Sequence, residues 1–303
     1  MNFARLVNPL IMIAAATAAY APAALAQEGR GDVVYVPTPQ VSVDEMLRMA
    51  KVGPNDYIID LGSGDGRIVI TAAKKFGARG FGVDLDTYLL KIANAAASKE
   101  GVADRAQFIE QNLFETDLSK ATVITTYLLP EMNERLRPKL LALKPGTRVV
   151  AHDYDMGNWL PDEQKTLIVP EKTVGDPGKS YVFFWIVPAQ VAGTWQSQLN
   201  VSGKPAPYEF TLAQEFQMLE GSVRAGGQAG VLKGRMEGTQ VRFTVSGKPG
   251  DGLARHEFQG RLTSDDAIEG VVHVGEGAKR QQYPWTAKRT QRAAASLAAK
   301  ILQ

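Results

Sequence analysis

The stretch Tyr57-Ile58-Ile59-Asp60-Leu61-Gly62-Ser63-Gly64-Asp65-Gly66-Arg67 decides the fold. Its first part is a short apolar run ending in an acid, which reads as a buried strand. The glycines then form a turn, and Ile68-Val69-Ile70-Thr71-Ala72-Ala73 opens a helix. Such a turn brings backbone N–H groups close to a ligand at the positive end of a helix. A second strand, Gly80-Phe81-Gly82-Val83-Asp84, also ends in an acid. Its offset from Asp60 is close to that at which a doubly wound sheet places a carboxylate on a ribose. The two strand ends together suit a cofactor that carries a nucleoside.

The fingerprint for a dinucleotide is G-x-G-x-x-G, with a pyrophosphate at the helix start. Here the glycines fall at 62, 64 and 66, position 67 is Arg, and Asp60 stands two residues ahead of them. An acid at that place repels phosphate but can orient an ammonium, so a nicotinamide-dependent oxidoreductase is disfavoured. At this point the chain resembles the class I, seven-stranded S-adenosylmethionine-dependent methyltransferases, whose first motif has the form D-x-G-x-G-x-G. The resemblance extends from about Val36 to Val187. It implies S-adenosyl-L-methionine as cofactor, with Asp60 at the methionyl ammonium, Gly62 and Gly64 admitting the cofactor, and Asp84 accepting the ribose hydroxyls. Asp65 and Arg67 are read as turn and helix-start contacts.

The elements that follow keep this order. A helix spans Tyr88 to Glu100, with Leu89, Ile92, Ala93 and Ala96 at helical spacing. A strand, Ala106 to Glu110, leads to Asn112, where the family commonly has an Asp that accepts from the adenine amino group. An Asn carbonyl can still accept that bond. A fourth strand, Thr122 to Tyr127, precedes Leu128-Leu129-Pro130 and a helix from Glu131 to Leu143, which Lys144-Pro145-Gly146 stops. A fifth, Thr147 to His152, runs into Asp153-Tyr154-Asp155. Runs near Leu167 to Val174 and Ser180 to Val187 fit a closing hairpin.

The segment Tyr35-Val36-Pro37-Thr38-Pro39 ahead of a short helix, Val43 to Ala50, narrows the likeness. It resembles the group that includes the lysine methyltransferase of the mitochondrial ATP synthase c subunit. In that group the segment folds over the cofactor, which implies that Tyr35 and Thr38 contact its carboxylate end. Ser63, Leu85 and Leu113 are neighbours of these positions and complete the expected cofactor-binding set. The group also implies a protein lysine or another amine as methyl acceptor. Methyl transfer chiefly requires alignment and exclusion of water. Candidate catalytic groups therefore come from loops at the carboxyl ends of the strands. Tyr127 can orient an amine through its hydroxyl, and Asp153 can accept a proton from it or hydrogen-bond to it.

With 303 residues the chain accommodates two domains, and its formal net charge of +2 shows no polybasic character that would advertise nucleic acid. No Cys is present and only three His occur, without metal-ligand spacing, so no metal site is expected. Arg5, an apolar run from Leu10 to Leu25, and Ala24-Leu25-Ala26 read as an export signal over residues 1–26. The expected location is the periplasm, with no membrane span once the signal is removed. The alternative is an inner-membrane anchor through an uncleaved segment. Export also conflicts with the cytoplasmic origin of S-adenosylmethionine.

From Ala192 the pattern turns into short alternating runs with regular glycines, eight in all, as in an antiparallel sandwich or barrel. Leu219-Glu220-Gly221, Leu232-Lys233-Gly234, Phe258-Gln259-Gly260 and Ile268-Glu269-Gly270 place glycines where a barrel bends. Gly193-Thr194-Trp195 has a short likeness to lipocalin-like barrels, and Trp195 and Trp285 are read as core plugs. A barrel of this size fills its interior with side chains or holds one small apolar ligand, and its outer face can dock a protein.

The expected architecture is therefore an α/β, doubly wound Rossmann-like methyltransferase sheet over 27–190, an eight-stranded antiparallel β-barrel over 191–289, and a short helix over 290–303. The expected function is an exported methyltransferase. The rival is a non-catalytic periplasmic binding or scaffold protein with a degenerate cofactor pocket and a ligand-binding barrel.

Overall fold

The computed structural model describes residues 34–201, 204–247, 255–275, 277 and 280–293. The expected export signal lies outside these residues, as do 294–303 of the expected terminal helix.

Helix α1 (Gln40–Met49) precedes β1 (Tyr57–Leu61), α2 (Arg67–Phe76), β2 (Arg79–Asp84), α3 (Thr87–Lys99), β3 (Ala106–Glu110) and β4 (Val123–Thr126). Then come α4 (Pro130–Leu141), β5 (Arg148–His152), β6 (Glu163–Ile168) and β7 (Lys179–Ile186). The seven strands form one sheet in the order β3-β2-β1-β4-β5-β7-β6. The first five are parallel, and β7 runs antiparallel to both neighbours. Both faces of this sheet are covered. Ile58 packs with Val43, Val69 and Ala93 on the α1–α3 side, whereas Ile59 packs with Ile124, Leu136 and Trp185 on the α4 side. A continuous apolar run is what a central parallel strand buried on both faces requires. The strand order reverses between β1 and β4, so a crevice opens beyond their carboxyl ends.

Two details differ from the sequence reading. In α3 the buried face is Leu89, Leu90, Ala93 and Ala97, while Ile92 is exposed, so the packed stripe is rotated from the expected one. The first hairpin strand runs from Glu163 to Ile168 and not from Leu167 to Val174. It is an edge strand of mostly exposed polar residues and shows no apolar alternation to read.

The second half is a closed barrel: β8 (Gly193–Val201), β9 (Lys204–Glu215), β10 (Met218–Ala225), β11 (Gln228–Glu237), β12 (Gln240–Gly247), β13 (His256–Ser264), β14 (Ala267–Val274) and β15 (Gln281–Arg292). Consecutive strands pair, and β15 closes on β8. Because β15 extends to Arg292, the first three residues of the expected terminal helix are strand. The mid-strand glycines lie where strands approach closely. A Cβ on Gly221, Gly234 or Gly270 would stand about 2 Å from a carbonyl oxygen of the adjacent strand. The described interior is filled by Phe210, Phe243, Phe258 and Trp285, with Phe243 and Phe258 stacked at 4.8 Å and Trp285 edge-on to Phe258 at 5.0 Å.

The halves are joined through the β9–β10 turn. Phe216 is buried with Trp159 and Trp185 of the sheet domain, its ring stacked on Trp159 at 6.2 Å. Gln217 accepts from Trp159 Nε1 at 3.1 Å and donates to the Leu160 carbonyl at 2.7 Å. Arg235 pairs with Asp162 at the edge of this contact.

Candidate functional site

A cleft at the carboxyl ends of β1, β2 and β4 is lined by ten of the sequence candidates: Tyr35, Thr38, Asp60, Gly62, Ser63, Asp84, Leu85, Asn112, Leu113 and Tyr127. Gly64 underlies it. Gly64 has φ +52°, and a Cβ there would stand 2.3 Å from the Tyr35 ring, so only glycine lets Tyr35 lie on the turn. The backbone N–H of Gly64 donates to Asp84 Oδ2 at 2.9 Å, and that of Asp86 to Oδ1 at 3.0 Å. The carboxylate is thus oriented by two backbone donors, and each oxygen keeps a lone pair for a ligand hydroxyl. Asp86 caps α3 by accepting from Tyr88 and Leu89 N–H, which fixes the loop that carries Leu85.

Asp60 is buried at the end of β1 and accepts from Thr125 Oγ1 at 2.7 Å. Burial pushes its carboxyl up to about 7. The Thr125 hydrogen bond opposes that shift, and the Asp84 and Asp65 charges add to it. A folded-state value above the ordinary one, about 3.9, means that the folded protein binds this proton more tightly than the unfolded chain. The stabilising contribution is therefore complete below about pH 4 and lost as pH rises through about 7. Ligand-free Asp60→Asn should show a flatter melting temperature across that window in scanning calorimetry. An unchanged profile would mean that Asp60 is not the proton-linked group.

The segment ahead of α1 is fastened over the turn. Arg67 makes a forked pair with Asp65, at 2.9 and 2.6 Å, and donates through Nη1 to the Thr38 carbonyl at 2.7 Å. These two residues do make the expected turn contacts, but they also line the cleft. The Tyr35 hydroxyl is pushed to a higher pKa by burial first and the Asp65 charge second, so it stays neutral.

Some candidates sit differently from expectation. Ser63 lies on the cleft wall, but its hydroxyl is packed over Gly82, where a Cβ would stand 2.5 Å from it. Asn112 Oδ1 accepts from the Phe114 N–H at 3.0 Å in a local turn, so one of its two lone pairs is already used. Asp153 does not line the cleft. Its side chain is 5% exposed and lies behind Tyr127, whose hydroxyl donates to Asp153 Oδ2 at 3.1 Å. Asp153 therefore touches the cleft only through the Tyr127 hydroxyl, and the direct bond to an amine expected of it is not open to it.

Phe114, Met132 and Arg135 also line the cleft, and sequence reasoning passed over them. The Arg135 guanidinium lies 3.8 Å over the Phe114 ring. The available signal was the three-residue spacing of Met132 and Arg135 on the first turns of α4, which puts both on one helix face. Among the described residues, no group of acids and histidines could hold a metal ion. Acids at two stations with apolar Leu85, Leu89 and Leu113 between them suit a nucleoside joined to a charged amino acid.

A family model described as the ANTKMT methyltransferase domain matches residues 60–163. A protein-lysine N-methyltransferase of Saccharolobus islandicus is 49% identical over 133 residues, which span 43% of this chain and 83% of that protein. The chain belongs to this methyltransferase family. The methyltransferase is also 33% identical over 129 residues to the Xenopus laevis lysine N-methyltransferase that acts on the ATP synthase c subunit, and spans 56% of that protein's length. A solved RNA methyltransferase from Salinibacter ruber, in complex with S-adenosyl-L-homocysteine, is 48% identical with a TM-score of 0.46, covering 52% of this chain and 96% of that one. By its family the enzyme is S-adenosylmethionine-dependent, and the non-catalytic and nicotinamide readings are set aside.

Proposed function

We propose that this chain transfers methyl groups to lysine side chains of a protein acceptor, and that it does so outside the cytoplasm. The observation that carries the first part is the 49% identity to a protein-lysine N-methyltransferase. The second part rests on the leader-like pattern of residues 1–26.

When bound, S-adenosylmethionine supplies an electrophilic methyl group on a sulfonium. Asp60, ionised, would pair with the methionyl ammonium. Asp84 would accept the two ribose hydroxyls, and Leu85 and Leu113 would hold the adenine end. Tyr35 and Thr38, the latter held by Arg67, would close the cleft and keep water out. Tyr127 stands at the carboxyl end of β4 and receives an N–H of the incoming amine on its oxygen. The amine must arrive unprotonated. As its nitrogen–carbon bond forms, the methyl's bond to sulfur would break and S-adenosyl-L-homocysteine would leave with that electron pair. The methylated ammonium then releases a proton to water. No buried base is needed if the amine loses its first proton before entry.

The test uses extract from cells that lack the protein, divided into envelope and cytoplasmic fractions. Purified full chain and methyl-labelled S-adenosylmethionine are added, and mass spectrometry locates the label. Methyl-lysine in an envelope protein is the expected result. Label confined to the cytoplasmic fraction would remove the location, and label absent from lysine would remove the acceptor class.

A further inference from the structure

A buried charged cluster stands behind Tyr127. Asp153 is the first residue after β5 and has φ +61°, a conformation that a non-glycine residue adopts at a cost. Four contacts fix it there. Its N–H donates to the Tyr181 carbonyl at 2.7 Å, and its Oδ1 accepts from the Tyr181 N–H at 3.1 Å. Its Oδ2 accepts from the Tyr127 hydroxyl and also from Lys172 Nζ, at 2.8 Å. The Lys172 side chain, on the loop between β6 and β7, is 4% exposed. Its ammonium also donates to the carbonyls of Lys179, at 2.5 Å, and Asp176, at 3.3 Å. All three ammonium protons thus have acceptors, so none is buried without a partner. His152 is edge-on to the Tyr127 ring at 4.2 Å, lies 3.0 Å from Ser180 Oγ and 3.4 Å from Asp153 Oδ1, and Tyr154 stacks with Tyr127 at 6.3 Å. Burial drives the imidazole down to about 4, so it adds no charge to the cluster.

An ionised carboxylate only accepts hydrogen bonds, so the Tyr127 hydroxyl must be the donor in its bond to Asp153. Its proton is thereby directed away from the cleft, and its oxygen is left as an acceptor toward it. Without Lys172 the carboxylate would lose its buried ion-pair partner, and with it a contact that fixes Oδ2 against the Tyr127 hydroxyl.

We propose that the buried Lys172–Asp153 pair is a positioning device for methyl transfer, which holds the Tyr127 hydroxyl as a hydrogen-bond acceptor for the attacking amine. This rests on the reading of Tyr127 as the residue facing the acceptor. Lys172 and Asp153 touch neither substrate nor cofactor and act through Tyr127 alone.

The experiment measures initial rates of lysine methylation in the same extract at saturating S-adenosylmethionine, and cofactor affinity by calorimetry, all in the full chain. Lys172→Met alone strands a buried carboxylate and can unfold the protein. The informative variant is therefore the neutral double substitution Lys172→Met with Asp153→Asn, whose amide can donate to Tyr127. Tyr127→Phe, the triple variant and Lys172→Arg complete the set. Expected are a rate loss of at least ~10-fold in the double variant, cofactor Kd within ~2-fold, no further loss on adding Tyr127→Phe, and recovery in Lys172→Arg. Wild-type rates in the folded double variant would overturn the proposal, as would losses that multiply with Tyr127→Phe. A fully active Tyr127→Phe would instead remove the underlying reading of Tyr127, and no lysine methylation by the unmodified chain would remove the acceptor class.

Discussion

Asp84→Ala should bind S-adenosylmethionine at least ~10-fold more weakly than the unmodified chain. The carboxylate at the end of β2 would accept both ribose hydroxyls, and hydrogen bonds to a charged group contribute about 1.5–3 kcal/mol each. Loss of even one such bond exceeds the roughly 1.4 kcal/mol that makes a factor of ten. A second loss compounds the first. Asp84 also receives the N–H groups of Gly64 and Asp86, at 2.9 and 3.0 Å, so its removal frees the glycine turn on one side and the α3 entry on the other. Asp84→Asn separates the two effects incompletely, because its amide nitrogen would face one of those donors. The check is calorimetric titration at a temperature where circular dichroism shows the variant folded. A Kd within threefold of the original would mean that Asp84 organises the turn without holding the ribose.

Most of the sheet domain was legible because its determinants are local. The acid at the end of β1, the three glycines and the acid at the end of β2 are read directly from Asp60 to Asp84, and the structure brings both acids to one cleft. The eight barrel strands were legible from alternation, since inward positions such as Phe210, Phe243 and Phe258 are separated by outward polar residues. What was not legible depends on contacts distant in sequence. Nothing near Asp153 shows that Lys172, nineteen residues later, turns inward from the loop between β6 and β7 to pair with it. A lysine in a Gly- and Pro-containing loop reads as solvated. Strand β6 escaped for the opposite reason, because an exposed edge strand imposes no apolar pattern on its sequence. Nor does periodicity reveal which barrel turn docks on the sheet domain, since Phe216 looks like one more apolar residue between two strands.

That docking gives the largest expected effect on stability. Trp159→Ala should destabilise the protein by about 3–5 kcal/mol, the usual cost of truncating a fully buried large aromatic. Trp159 is fully buried, its carbonyl accepts from Trp185 Nε1 at 2.7 Å, and its own Nε1 donates to Gln217 of the barrel at 3.1 Å. The Phe216 ring stacked upon it belongs to a residue with φ +51°, a backbone that persists only where its surroundings hold it. Arg137 of α4 ties the same region together, donating to the Met156 carbonyl at 2.7 Å and lying 5.8 Å over the Phe216 ring. Removing the indole therefore opens a cavity, orphans the Gln217 carbonyl and loosens Phe216 at once. Because these contacts link the sheet domain to the barrel, the substitution should also uncouple them. In urea, near-ultraviolet and far-ultraviolet circular dichroism should give separate transitions for the variant, the sign that two-state behaviour has been lost. Trp195→Ala supplies the comparison, since that indole bonds the Val191 carbonyl at 2.8 Å within the barrel's own core. If both variants unfold in single coincident transitions, the halves do not depend on the Trp159 contact for their coupling. If only Trp159→Ala splits, the barrel is a structural partner of the sheet domain, joined through the loop that follows the methyltransferase strand β5.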